Sequence, residues 1–191
     1  MLSDLDGRFL LKPSHNKQLI SHKNVMRLYG CCLETKIPML VFELISNGHC
    51  NEIPCQISWL DRVRIATETS YALCYMHYGR PRPVVHLNVK SSNIFLNEYW
   101  TAKLSDFGFL VSITPREDFF QSSSIEGTTG YIDPEYLEKL HVREKFDVYG
   151  FGVVLVEVLT GDYPTETFLG HMNFVRLLCF VNGREMHITN C

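Results

Sequence analysis

A chain of 191 residues with 46% hydrophobic and 20% charged residues has the make-up of an ordinary globular domain, and its net charge of −3 gives no electrostatic footing for nucleic acid or an anionic membrane. The longest apolar run, Val148 to Leu159, is too short to cross a bilayer and contains Glu157, so no direct membrane insertion is expected. The seven cysteines include the adjacent pair Cys31-Cys32 and no C-x-x-C, and Met1 to Asp4 begins no leader pattern. They read as reduced thiols of a cytoplasmic protein, small buried hydrophobes rather than metal ligands.

Residues 24–30 and 38–44 read as two strands around a turn at Glu34-Thr35-Lys36, and Ser46-Asn47-Gly48 then punctuates the chain. Ser58 to Tyr78 reads as a helix. Ser58 and Asp61 make a capping-box-like start, and Leu60, Val63, Ala66, Leu73 and Met76 recur at helical spacing. The turn from Gly79 to Pro83 ends it. Asn93 to Leu96 and Thr101 to Leu104 read as a short hairpin flanking Asn97-Glu98. Asp106 to Glu135 is long, rich in Ser, Thr and Gly and aperiodic, which marks a functional loop. Asp147 to Thr160 is apolar on nearly every side and predicts a buried central helix, stopped by Gly161 and Pro164. One more helix is expected between Thr165 and Cys191.

The chemistry lies in an ordered set of short motifs: His86…Lys90…Asn93, then Asp106-Phe107-Gly108, then Gly127-Thr128-Thr129-Gly130-Tyr131 with Asp133-Pro134-Glu135, and last Asp147-Val148-Tyr149-Gly150-Phe151-Gly152. Singly these are weak; their order and spacing are specific. They resemble a protein kinase, whose catalytic loop reads H-R-D-x-K-x-x-N and whose metal-binding segment reads D-F-G. The implied fold is α+β and protein-kinase-like, with a remnant small lobe over 1–48 and an incomplete helical large lobe over 49–191. His22-Lys23-Asn24-Val25, Leu28 to Thr35 and Ser58-Trp59 with Arg64 to Glu68 look like plant receptor-like kinases of the wall-associated type. Asn93 to Phe107 is similar to the ZRK group of receptor-like cytoplasmic pseudokinases, adaptors to an intracellular plant immune receptor. The resemblance spans roughly residues 19–185.

That resemblance implies roles. Phe42 falls at the gatekeeper, and Glu43 to Ile45 at the hinge that would pair with adenine. Lys90 would touch the transferred phosphate, and Asn93 and Asp106 would hold Mg²⁺ through hard oxygen donors. His86 and Phe107, followed by Gly108, would stack in the spine joining the lobes. Asp147 would anchor the catalytic loop and Thr128 would sit beside the catalytic position. From the residues alone, Lys90 can equally be a surface lysine and Asn93 a turn cap. Ser122, Ser123 and Ser124, with Thr128 and Thr129, are candidate phosphosites in a loop that is serine-rich for its own reasons.

Four departures bear on catalysis. Asn88 stands where the family has its catalytic Asp, and Leu87 replaces the neighbouring Arg. The first forty residues contain glycine only at Gly7 and Gly30, so no glycine-rich loop covers a triphosphate. No V-A-I-K strand occurs either, and the helix Glu of the family register falls on Pro13. The fourth departure is at the other end, where the chain is expected to lack the helices that carry an Arg partner for Glu135. These features imply a pseudokinase truncated at both ends, binding ATP and Mg²⁺ weakly if at all. It would act as an adaptor or decoy for an intracellular immune receptor or a receptor kinase, with a partner holding it at the plasma membrane. The alternative is a Ser/Thr kinase domain in an incomplete gene model.

Overall fold

The computed structural model describes residues 20–160 apart from 33, 36–38, 53–56 and 115–116. Pro13, Gly161, Pro164 and the helix expected within 165–191 lie outside the described residues, as does the segment 1–19. Strands β1 (Leu28–Cys32) and β2 (Met39–Phe42) pair antiparallel, as the alternating segments around Glu34 predict. Helix α1 (Trp59–Tyr78) begins where Ser58 lies extended and its Oγ accepts the Asp61 backbone N–H at 3.1 Å. This satisfies one of the four orphan amides of the helix start.

Next come the two-residue strand β3 (Val84–Val85) and the hairpin β4 (Ile94–Leu96) and β5 (Ala102–Leu104), which flanks Asn97-Glu98 as expected. The segment 106–135 is less irregular than the sequence suggests. It contains β6 (Val111–Ser112) against β3 and β7 (Phe120–Gln121) against β8 (His141–Val142). Helix α2 (Pro134–Lys139) is capped by Asp133, and α3 runs over Glu144–Thr160.

Segment 84–89 divides the core. Successive residues of an extended chain point to opposite sides, so Val84 joins one cluster while Val85 and Leu87 join another; beyond the left-handed Leu87 the alternation is broken and Val89 returns to the first. The first cluster contains Ile65, Ala72, Leu73 and Met76 of α1, the hairpin β4–β5, and Val154 and Val158 of α3. The second gathers Val111, Ile113, Tyr136, Val142 and Phe146. The loop between β3 and β4 is thereby gripped from both sides.

Three sequence expectations are corrected. On α1 the buried stripe is Ile65, Thr69, Ala72, Leu73, Met76 and His77, whereas Leu60 and Val63 are exposed. Spacing alone could not choose between these faces because Trp59, Leu60 and Val63 continue the apolar pattern onto the solvent side. Helix α3 is not buried all round: Val148 is exposed, and the deep positions are Phe146, Asp147, Val154, Glu157 and Val158. Of the cysteines, Cys50 is buried but Cys31 and Cys32 are half-buried and Cys74 is exposed.

Candidate active site

Asp147, on the first turn of α3, is fully buried and organises the loop after β3. Its Oδ2 accepts the His86 backbone N–H at 2.7 Å and faces His77 Nε2 at 2.8 Å, while Oδ1 accepts the Leu87 N–H at 2.9 Å. Two backbone donors are thus fixed by one carboxylate, which holds Leu87 at φ 65°, a left-handed conformation disfavoured for a leucine. The carboxylate thus fixes the backbone at residues 86–87. Gly150, one turn further on, lets the helix approach the same loop: a Cβ there would stand 2.8 Å from the Val89 carbonyl oxygen.

His86 is buried, and its Nδ1 accepts the Asn88 backbone N–H at 3.2 Å. The proton therefore sits on Nε2, which donates to the Ser105 carbonyl at 2.8 Å. Burial holds its pKa below the ordinary histidine value, against the nearby Asp147 carboxylate. Phe107 meets His86 edge-on at 5.7 Å between centroids and approaches Phe42 at 6.3 Å. The Phe107 ring thus touches both His86 and Phe42, with Gly108 next in a short 3-10 turn.

Around Asn88 the motifs converge. Asn88 Nδ2 donates to Asp106 Oδ2 at 3.0 Å, and its Oδ1 accepts the Thr128 hydroxyl at 2.7 Å. Asn93 Nδ2 donates to the Asn88 carbonyl at 2.9 Å and to the same Asp106 oxygen at 3.2 Å. Asp106 holds a left-handed backbone at φ 62°. Gly127, beside Thr128, has φ 112° and packs where a Cβ would meet the Leu87 carbonyl oxygen at 3.1 Å. Glycine is required there on both counts.

The donor set suits a divalent cation in kind. Asp106 and Asn93 offer hard oxygens, and each keeps one oxygen, Oδ1, that the amide contacts do not use. These two residues would hold such an ion, whose chemistry is to neutralise phosphate charge. The residues themselves contribute a single carboxylate, and an amide where a proton acceptor would be needed. Lys90 is half-buried and its ammonium makes no ion pair among the described residues.

Other predicted residues are placed differently. The Glu43 carboxylate is committed to Lys103 Nζ, at 2.7 and 2.9 Å, and to the Arg27 backbone N–H at 2.7 Å, so any hinge role falls to backbone groups of Glu43 to Ile45. Glu135, expected to lack an Arg partner, faces solvent. It is exposed at the start of α2 and pairs with Lys139 at 3.5 Å. Ser122 is buried and its hydroxyl donates to the Ser124 carbonyl, which removes it as an accessible phosphosite. Ser123, Ser124 and Thr129 are exposed, and the Thr128 hydroxyl is held by Asn88. A cavity of about 120 Å³ lies beside α2 between Glu135, Lys139, Arg143 and Phe146, and none of the Asn88 cluster lines it.

Sequence reasoning missed one buried polar cluster. Glu157 is buried on α3, accepts a hydrogen bond from the Tyr131 hydroxyl on Oε1, and leaves Oε2 buried with no hydrogen bond among the described residues. Burial raises the pKa of Glu157 and of Tyr131, and pushes the nearby Cys50 thiol up to about 12. The signal was a lone acid in the apolar stretch from Val148 to Leu159.

The protein kinase domain family matches residues 14–178. Among Arabidopsis thaliana proteins, the chain is 44% identical over 152 residues to wall-associated receptor kinase-like 18, covering 76% of this chain and 19% of that protein. It is 43% identical over 149 residues to wall-associated receptor kinase 5, covering 75% and 20%. The chain therefore spans about a fifth of the length of these relatives. No described helix is long and apolar enough to cross a membrane. The motif order, the loop anchored on Asp147 and these matches agree: the chain belongs to the protein kinase domain family, with wall-associated receptor kinases among its relatives.

Proposed function

We propose that this chain is a catalytically inactive kinase-like domain acting as a binding adaptor or decoy in plant immune signalling. Its partner would be a protein, an intracellular immune receptor or a receptor kinase, met in the cytoplasm or at the inner face of the plasma membrane. One observation carries the loss of catalysis: the group at the base position is the Asn88 amide, already bonded to Thr128 and Asp106. An amide does not take a proton from a substrate hydroxyl at accessible pH. Support for the adaptor role comes from apolar side chains displayed around the small hairpin. Tyr29, Met39, Leu40 and Val41 are exposed, and Leu44 is 97% exposed. Clustered exposed apolar residues mark protein contacts.

A second reading, an ATP-dependent Ser/Thr kinase domain, draws on Asn93 and Asp106, whose side chains meet at one point. Calorimetric titration of the purified chain with ATP and MgCl₂ separates the two. The adaptor reading expects weak or no binding, with no thermal shift. A ligand at a hundred times its Kd would stabilise the fold by ~2.7 kcal/mol. Micromolar affinity would overturn this reading in favour of the kinase.

A further inference from the structure

We infer that Asn88 is a positioning residue that fastens Asp106 to the catalytic loop without a cation, its amide standing in place of a bound metal. The inference deepens the non-catalytic reading of the same site and rests on it for its biological sense; its geometry stands independently.

The chemistry of the neighbours fixes which way the amide points. A carboxylate only accepts hydrogen bonds, so the atom 3.0 Å from Asp106 Oδ2 must be the nitrogen. The oxygen is then turned to the Thr128 hydroxyl, which donates at 2.7 Å. Asn93 brings a second N–H to the same Asp106 oxygen at 3.2 Å while holding the Asn88 carbonyl at 2.9 Å. Three separate stretches, 88–93, Asp106 and Thr128, are tied at one side chain that must donate on one edge and accept on the other.

A carboxylate at position 88 can still accept from Thr128, but it can donate nothing to Asp106. Two negative oxygens would then face each other at hydrogen-bond distance with only the Asn93 amide between the charges. Such a pair needs a cation or a proton to stay together. In this chain the amide removes that need, so the left-handed Asp106 turn stays seated in the absence of metal. Asn88 thus closes this junction with hydrogen bonds alone.

The test is thermal unfolding of the full 191-residue chain, followed by circular dichroism in EDTA and in rising MgCl₂ at constant ionic strength. Three proteins are compared: the natural chain, Asn88→Asp, and the exchanged pair Asn88→Asp with Asp106→Asn. The natural chain is expected to melt at the same temperature throughout. Asn88→Asp should melt several degrees lower in EDTA and climb back saturably with MgCl₂. The exchanged pair restores one donor facing one acceptor between positions 88 and 106 but turns an N–H toward the Asn93 amide nitrogen, so it should recover part of the loss in EDTA and ignore MgCl₂. The inference is overturned if the natural chain gains as much from MgCl₂ as Asn88→Asp, or if Asn88→Asp is undiminished in EDTA. Should Asn88→Asp not fold in EDTA, its response to MgCl₂ decides: folding regained with the cation supports the clamp, and no recovery overturns it. No nucleotide is present, so failure here leaves the non-catalytic reading to be judged by ATP titration, which can fail with the clamp intact.

Discussion

Replacing Asp147 by Asn tests how far one buried carboxylate holds the catalytic loop. The amide keeps a single acceptor oxygen. Placed where Oδ2 stands, it still serves the His86 N–H and His77 Nε2, but its NH₂ then faces the Leu87 N–H, now 2.9 Å from Oδ1. One hydrogen bond to a charged acceptor is lost, about 1.5–3 kcal/mol, and two donors are left opposed in a buried site. The two remaining bonds also lose their charge assistance. A total of ~3–4 kcal/mol follows, a large share of the ~5–15 kcal/mol that separates folded from unfolded domains. At ~2–4 °C per kcal/mol for a domain of this size, the melting temperature should fall by roughly 6–16 °C. Urea unfolding followed by far-ultraviolet circular dichroism measures it, with the midpoint falling at constant slope. A stability within ~0.5 kcal/mol of the natural chain would show that Asp147 does not hold the loop as argued.

Gly150→Ala should destabilise by about 1–3 kcal/mol, since its Cβ would stand 2.8 Å from the Val89 carbonyl oxygen and α3 must shift; the same urea titration reads it. Glu157→Gln should flatten the pH dependence of stability. Burial raises the folded pKa of Glu157, so the folded state holds this proton where the unfolded state has released it. Its contribution is therefore fully present below the ordinary Glu value of ~4.3 and is lost as pH rises through the raised folded pKa. Urea midpoints across that window should decline for the natural chain and stay level for the variant. Asn88→Asp should not restore phosphoryl transfer. A general base is worth ~10²–10⁴-fold only in an assembled site, and a radiolabelled-ATP assay against an Asn88→Asp, Asp106→Ala control would expose any transfer.

The elements most legible in the sequence were those specified by neighbours along the chain. Ser58 and Asp61 announce α1 through a local cap, and the hairpin around Asn97 follows from short-range alternation. Strands β3, β6, β7 and β8 carry no such signal. Each is two residues long and exists through distant partners, Val84 with Ser112 and Phe120 with Val142. The site residues were found as motifs, but their bonding was not. That the Glu43 side chain is engaged by Lys103 and that Ser122 is buried depend on packing between segments far apart in sequence, whereas Glu135 and Lys139 meet at i,i+4 spacing on α2. Solvent face was the weakest inference. Leu60, Val63 and Val148 continue apolar patterns, and periodicity does not say which flank of a stripe meets water.

The Glu43–Lys103 pair has a mechanical consequence. It ties the residue just after β2 to the strand β5, while Met26 N and Leu104 N exchange hydrogen bonds with Leu104 O and Asn24 O respectively. The stem of the small hairpin is therefore stitched to β5 on both sides of β1–β2, by Asn24 and Met26 ahead of it and Glu43 behind. A hairpin fastened at both roots cannot swing as a door on a single pivot. Any rocking of β1–β2 must strain the Lys103 ion pair or carry β5 along with it. A protein seated on the exposed face of that hairpin would thus press directly on β5, which leads through Ser105 to Asp106.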